Sequence, residues 1–171
     1  RDNKLATLQT IVQEKIHQTP YNKGNRKVLI FTAFSDTARY LYDAIVPNMN
    51  AQGAITAMIT GSDKPRVSTD NIDKGFGAVL CAFSPQAKMR KELPQENQVD
   101  VLIGTDCISE GQNLQDCDCV INYDIQWNPV TLIQRFGRID RIGSINKDIK
   151  MINFFPDMAL NEYLRLEKRV K

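Results

Sequence analysis

Short runs of aliphatic and β-branched residues alternate along this chain with segments whose apolar residues recur at helical spacing. That alternation dictates a mostly parallel sheet, because parallel neighbours need a crossover long enough to hold a helix. The candidate strands are Lys27–Thr32, Ala54–Ile59, Ala78–Phe83, Val99–Gly104, Cys119–Tyr123 and Ile149–Phe154. Several are apolar almost without interruption, as expected of strands covered by helices on both faces. Leu5, Leu8, Val12 and Ile16 mark a leading helix within residues 1–20, and Ala38, Leu41, Tyr42 and Ile45 mark a second that Ser35 can cap. Asn128-Pro129 reads as a cap followed by proline at the first helical position, opening a helix to about Ile142. A last helix is expected over residues 157–171, and Gly61 to Gly77 reads as an irregular loop.

The 171 residues suit one α/β domain of three layers, with a central sheet of about six strands and helices on both faces. The chain begins Arg1-Asp2-Asn3-Lys4 without a methionine, which suggests a piece of something longer. No apolar stretch approaches the roughly 20 residues that cross a bilayer, and no signal core follows the start. A net charge of +2 neither demands nor excludes nucleic acid, since it says nothing about how charge is distributed. Cys117-x-Cys119 departs from zinc-site spacing, and His17, the single histidine, is remote in sequence. Reduced, buried thiols in a cytoplasmic protein and no bound metal are therefore expected.

In open parallel sheets, ligands bind beyond the carboxyl ends of the strands. Polar segments follow three of the candidate strands there: Ala33-Phe34-Ser35-Asp36, Thr105 to Asn113, and Asp124 to Asn128. The helix from Pro129 is the most informative. At about 100° per residue, with Gln134 at zero, Arg138 falls near 40°, Arg141 near −20° and Arg135 near 100°. Leu132, Phe136 and Ile139 gather on the other side, so one face is core and the other a stripe of glutamine and arginine. Such a stripe is either a solvated basic face, the commoner outcome from spacing alone, or a grip for phosphate through planar guanidinium forks. Gly137, expected inside that helix at a cost of about 1 kcal/mol against alanine, favours a close approach of backbone or ligand. The sequence holds no Gly-x-x-x-x-Gly-Lys-Ser/Thr loop and no credible Ser/His/Asp set. It has arginines suited to phosphate and nothing to cradle a triphosphate.

Asp100 to Asp106 through Gly111-Gln112-Asn113-Leu114 resembles motif V of superfamily 2 helicases, and Gln134 to Gly143 resembles their motif VI. Lys27 to Phe34 is similar to the strand that opens their second RecA-like lobe. Asp124 with Trp127-Asn128-Pro129, followed by the arginine-rich helix, resembles the Swi/Snf-like branch, in which bacterial proteins have similar arrangements. The resemblance spans most of the chain from Asp2 to about Phe154, and the two motifs in order are far more specific than either alone.

That resemblance implies a RecA-like fold and the role of a second motor lobe. Residues 1–171 would form one helicase C-terminal domain, inactive alone, within a full-length ATP hydrolase. A first lobe would carry the phosphate loop and the acidic box for Mg2+, and the second lobe would close over ATP. By position in motif VI, Arg138 and Arg141 would be arginine fingers with Gln134 beside the γ-phosphate. Glu110, Gly111, Asn113 and Arg135 would line the nucleotide. Thr105, with Asp106, Ser35 and Trp127, would face DNA, or RNA, although Trp127 serves equally as a packing residue at a strand–helix junction. Partners would be the first lobe and nucleic acid, with no membrane. The competing reading is a non-catalytic nucleic-acid or protein-binding module that keeps the fold.

Overall fold

The computed structural model describes residues 2–90, 92–108, 112–124, 129–140 and 144–154. Its elements run α1 (Asn3–Gln18), β1 (Val28–Phe31), α2 (Ser35–Ala51), β2 (Thr56–Ile59), β3 (Arg66–Val67), α3 (Phe76–Phe83), β4 (Val101–Gly104), β5 (Cys119–Asn122), α4 (Pro129–Phe136) and β6 (Lys150–Asn153). The sheet order is β3-β2-β4-β1-β5-β6, with every pairing parallel except β2 with β3. β1 lies at the centre of this order, its Ile30 opposite Ile103 of β4 and Ile121 of β5. The expected three-layer α/β architecture is what forms.

Each strand divides its side chains between two cores, because successive residues point to opposite faces. Val28, Ile30, Val101, Ile103, Cys119 and Ile121 pack under α1 and α2. Leu29, Phe31, Ala57, Ile59, Leu102 and Val120 pack with α3 and with Ile139, just beyond α4, on the other side. α1 forms because Asp2 caps it, accepting the Lys4 and Leu5 N–H groups at 3.1 Å, while Leu8, Val12 and Ile16 bury one stripe. Each such side chain, fully buried, contributes about 1.5–3 kcal/mol. Thr19 ends the helix in the left-handed region at φ 41°. Just before that end the buried Lys15 ammonium reaches Asp118 at 2.7 Å, a charge pair inside the fold.

Three expectations need correction. Ala78–Phe83 is not a strand but the body of α3, whose Val79, Leu80, Ala82 and Phe83 are all buried. A helix with most of its surface covered reads as an unbroken apolar run, which periodicity cannot tell from a buried strand. The Gly61–Gly77 segment is not wholly irregular, since Arg66–Val67 pairs antiparallel with Met58 and Ala57 at the sheet edge. Ser35 does not cap α2: Phe34 holds the cap position without a side-chain hydrogen bond, and Ser35 opens the first turn. The helix expected over residues 157–171 lies outside the described residues.

All four cysteines are free. Burial raises the Cys117 thiol far above its ordinary range and pushes Cys119 up to about 12. Among the described residues no helix is long and apolar enough to cross a membrane.

Candidate functional site at the carboxyl ends of the strands

The loops leaving β1, β4 and β5 meet at one end of the sheet and are pinned there by side chains rather than by chance proximity. Asp124, two residues beyond β5, accepts the Thr32 hydroxyl at 2.5 Å and the Ala33 N–H at 2.6 Å. The exit of β5 is thereby tied to the exit of β1. Beyond β4, Gly104 is closely packed: a Cβ there would press on the end of the Ile108 side chain and lie 3.2 Å from the Ile59 carbonyl oxygen. That close approach lets the chain fold straight into a tight turn over Asp106–Ile108, closed by the Ile108 N–H on the Thr105 carbonyl at 3.2 Å.

Thr105 is nearly buried, and its hydroxyl lies 3.3 Å from Cys107 Sγ. Ser35 sits at the start of α2, where its hydroxyl accepts from Ser62 at 3.1 Å. Thr105 and Ser35 therefore follow neighbouring strands, joined at their ends by the Thr32 N–H on the Gly104 carbonyl.

α4 ends at Phe136 rather than near Ile142, and residues 137–140 continue as turns in which Ile139 and Asp140 both donate to the Phe136 carbonyl at 3.0 Å. Gly137 is thus the residue just past the helix, its N–H still bonded to the Ile133 carbonyl at 2.9 Å, and not an interior glycine. Ile139 is fully buried, Gln134 is exposed, and Arg138 lies between.

Arg135 departs from its expected place in the nucleotide site. It is 1% exposed, with Nε and Nη2 on Asp106 Oδ1 at 2.9 and 2.8 Å and Nη1 on Asn122 Oδ1 at 2.8 Å. Its guanidinium also lies 4.7 Å from the centre of the Phe31 ring. Asn122 is itself buried at the end of β5 and donates onward to Asn153 at 2.8 Å. Arg135 is therefore an internal strut joining α4 to the turn after β4 and to β5, and Asp106 is its counter-ion.

Arg138 is the opposite case. It has no ion pair or side-chain hydrogen bond among the described residues, and its buried Nε has no partner. Its carbonyl accepts the Leu114 N–H at 3.0 Å, which sets it next to the segment carrying Asn113. The Asn113 amide oxygen is also buried and unpartnered. An orphaned buried donor or acceptor costs about 1–3 kcal/mol, so two of them on adjoining segments call for an explanation. Glu110, Gly111, Trp127 and Arg141 lie outside the described residues.

Sequence reasoning missed two exposed apolar features at this end. Phe34 is 59% exposed directly after β1, and Val130 and Ile133 stand out from α4 at 56% and 70%. For Val130 and Ile133 the signal was a helical spacing of apolar residues beside the polar stripe, which the wheel centred on Gln134 assigned to neither face.

Five parallel strands flanked by helices, with an arginine-bearing helix after β5 and a tight turn after β4, define a RecA-like lobe. The C-terminal part of the Fun30 ATPase domain has the same fold, with a TM-score of 0.60 at 18% identity over 95% of this chain and 44% of that one. A family model for the helicase conserved C-terminal domain matches residues 3–143, and the chain belongs to that family. An uncharacterized ATP-dependent helicase of Bacillus subtilis, YqhH, is 42% identical over 67 residues, 39% of this chain and 12% of that protein. The ATP-dependent rRNA helicase RRP3 of Yarrowia lipolytica is 29% identical over 144 residues, 81% of this chain and 29% of that protein. The chain thus spans less than a third of either relative's length.

Proposed function

We propose that this chain is the second motor lobe of an ATP-dependent nucleic-acid helicase or translocase of the Swi/Snf-like branch. It completes an ATP site whose phosphate loop and magnesium-holding acidic box belong to a first lobe. The observation that carries this reading is the buried Arg138 Nε, without a partner among the described residues, on a segment that adjoins the one carrying the equally unpartnered Asn113 amide oxygen. A cation without a counter-ion among the described residues, with one N–H already out of water, suits a group that meets its anion only when the lobes close.

Arg138 and Arg141 act as arginine fingers and Gln134 sits beside them at the γ-phosphate. Their positive charge, delivered into a water-poor cleft, stabilises charge developing on the phosphoryl oxygens. A finger of this kind is worth roughly 10³–10⁵ in rate. The Arg135–Asp106–Asn122 strut acts indirectly, fixing the start of the finger-bearing segment against the sheet. Asn113, Glu110 and Gly111 line the nucleotide, and the Thr105 turn with Ser35 and Trp127 faces the backbone of DNA or RNA. Contacts to backbone phosphate carry no sequence information, which suits a motor that moves along any sequence. Such a protein works in the cytoplasm, where its four cysteines stay reduced.

The test is kinetic. The lobe alone hydrolyses no ATP, and the full-length protein does so when polynucleotide is added. In the full-length protein Arg138→Ala abolishes turnover while nucleotide binding persists. Hydrolysis by the isolated lobe, or normal turnover in that variant, rejects the assignment.

A further inference from the structure

The amino end of the sheet, opposite the site described above, carries a cleft of about 360 Å³. It is formed by the residues entering β1, β4, β5 and β6, among them Lys23, Arg26, Lys27, Gln86, Asp100 and Asp116. Its volume lies within the range of small-ligand sites. The hydrogen bonds along its walls do not balance.

Each carboxylate oxygen on these walls already accepts at least one N–H. Asp116 receives the backbone N–H groups of Gln86 and Ala87 at 2.8 and 2.9 Å. Asp100 receives the Ile55 N–H at 2.9 Å, Gln95 Nε2 at 2.9 Å and Arg26 Nη2 at 3.4 Å.

The donors are in surplus. Lys27 is only 8% exposed, and its ammonium has one acceptor among the described residues, the Val99 carbonyl at 2.7 Å. An ammonium has three N–H donors, so two have no acceptor among the described residues. The Phe83 ring, 5.7 Å away, covers one side of it without accepting a hydrogen bond from a lone pair. No carboxylate reaches Lys27 within ion-pair distance among the described residues. The Arg26 Nε is likewise buried and unpartnered, and the exposed Lys23 adds a third cation at the rim.

We propose that this cleft binds a small oxyanion, the phosphate or carboxylate group of a small molecule, gripped by the Lys27 ammonium and the Arg26 guanidinium. The unmatched N–H groups call for acceptors, which an oxyanion supplies and which no carboxylate brings within ion-pair distance of Lys27 among the described residues. Because the cleft lies at the far end of the strands from Arg138, this site stands independently of the ATPase reading.

The electrostatics agree with the geometry. Burial dominates and holds Lys27 down to about 8, against the opposing pull of Asp100, Asp116 and Cys117 and with a smaller push from Arg26. An anion beside the ammonium stabilises its charged form, so binding falls as pH rises through that value.

Isothermal titration of the chain with sodium sulfate, whose charge is constant over this range, reads the site against sodium chloride at matched ionic strength. Parallel arms with inorganic phosphate and malonate distinguish a phosphate site from a carboxylate one. Saturable one-to-one binding is expected, weakened by about ten-fold or more in Lys27→Met and in Arg26→Gln. It is also expected to fade between about pH 7 and pH 9. Circular dichroism confirms that each variant is folded, and the partly exposed Arg26 keeps the test alive if the Lys27 variant is not. No saturable binding in any arm, binding that both variants retain, or full displacement by chloride overturns the proposal.

Discussion

Replacing Arg135 by methionine separates a strut from a ligand. Methionine keeps the apolar stem but removes a guanidinium that is 1% exposed and makes three contacts, two to Asp106 and one to Asn122. The loss has unequal parts. Asn122 Oδ1, fully buried at the end of β5, is left without its donor, which costs about 1–3 kcal/mol. Asp106 is 46% exposed and recovers its hydration, so its share is that of a surface pair, about 0–1 kcal/mol. The volume of the lost fork over the Phe31 ring leaves a polar-walled gap worth about 1–2 kcal/mol more. The sum is about 2–6 kcal/mol, a fall in melting temperature of roughly 4–24 °C for a domain of this size. Urea denaturation with an unchanged slope measures it. Arg135→Lys recovers little, because a single ammonium cannot reach both Asp106 and Asn122 as a planar fork does. A loss below about 1 kcal/mol in Arg135→Met, or full rescue by lysine, refutes the strut.

Arg138→Ala leaves stability within about 1 kcal/mol of wild type in the same denaturation assay, because no ion pair or side-chain hydrogen bond to a described residue is lost, and a large loss contradicts the unpaired Nε. Gly104→Ala drives a methyl against Ile108 Cδ1 and costs about 1–3 kcal/mol, and adding Ile108→Val, which removes that atom, recovers part of it; a tolerated single variant contradicts the close approach. Lys27 sits at about 8 when folded against 10.5 unfolded, so below pH 8 it is charged in both states and its burial works against folding. From about pH 8 to 10.5 the unfolded chain binds more protons, and wild-type stability gains on the order of 3 kcal/mol from this residue. The stability of Lys27→Met lacks that rise, and a parallel pH profile for both proteins contradicts the buried ammonium.

Much of the fold could be read from pattern because its cores are made of residues near one another in the alternation. β1, β2, β4, β5 and β6 each fall inside the runs expected for them, and the Ala38, Leu41, Tyr42 and Ile45 spacing locates α2. α3 was misread because helix and strand look alike when most positions in eight residues are apolar. β3 was invisible since two residues have no period, and only pairing with Ala57 and Met58 makes them a strand. At the site, the wheel put Arg135 at the edge of the polar stripe and could not know what waited beneath it. The cavity that receives its guanidinium is built by Phe31, Asp106 and Asn122, brought together only by the sheet. Gly137, read as an interior glycine, follows the last residue of α4 instead, because the apolar spacing that runs on to Ile139 is carried there by turns.

The brevity of β3 bears on how such a lobe survives at high concentration. A sheet border is a template on which another chain can zip, and borders that are long and apolar seed clumping. On this side an incoming strand finds only Arg66 and Val67. The first of these is charged, paired with Asp43 at 3.2 Å and stacked 4.4 Å over the Tyr42 ring. Two residues cannot hold a stranger in register, so that flank of the molecule is proofed against self-association by its own shortness.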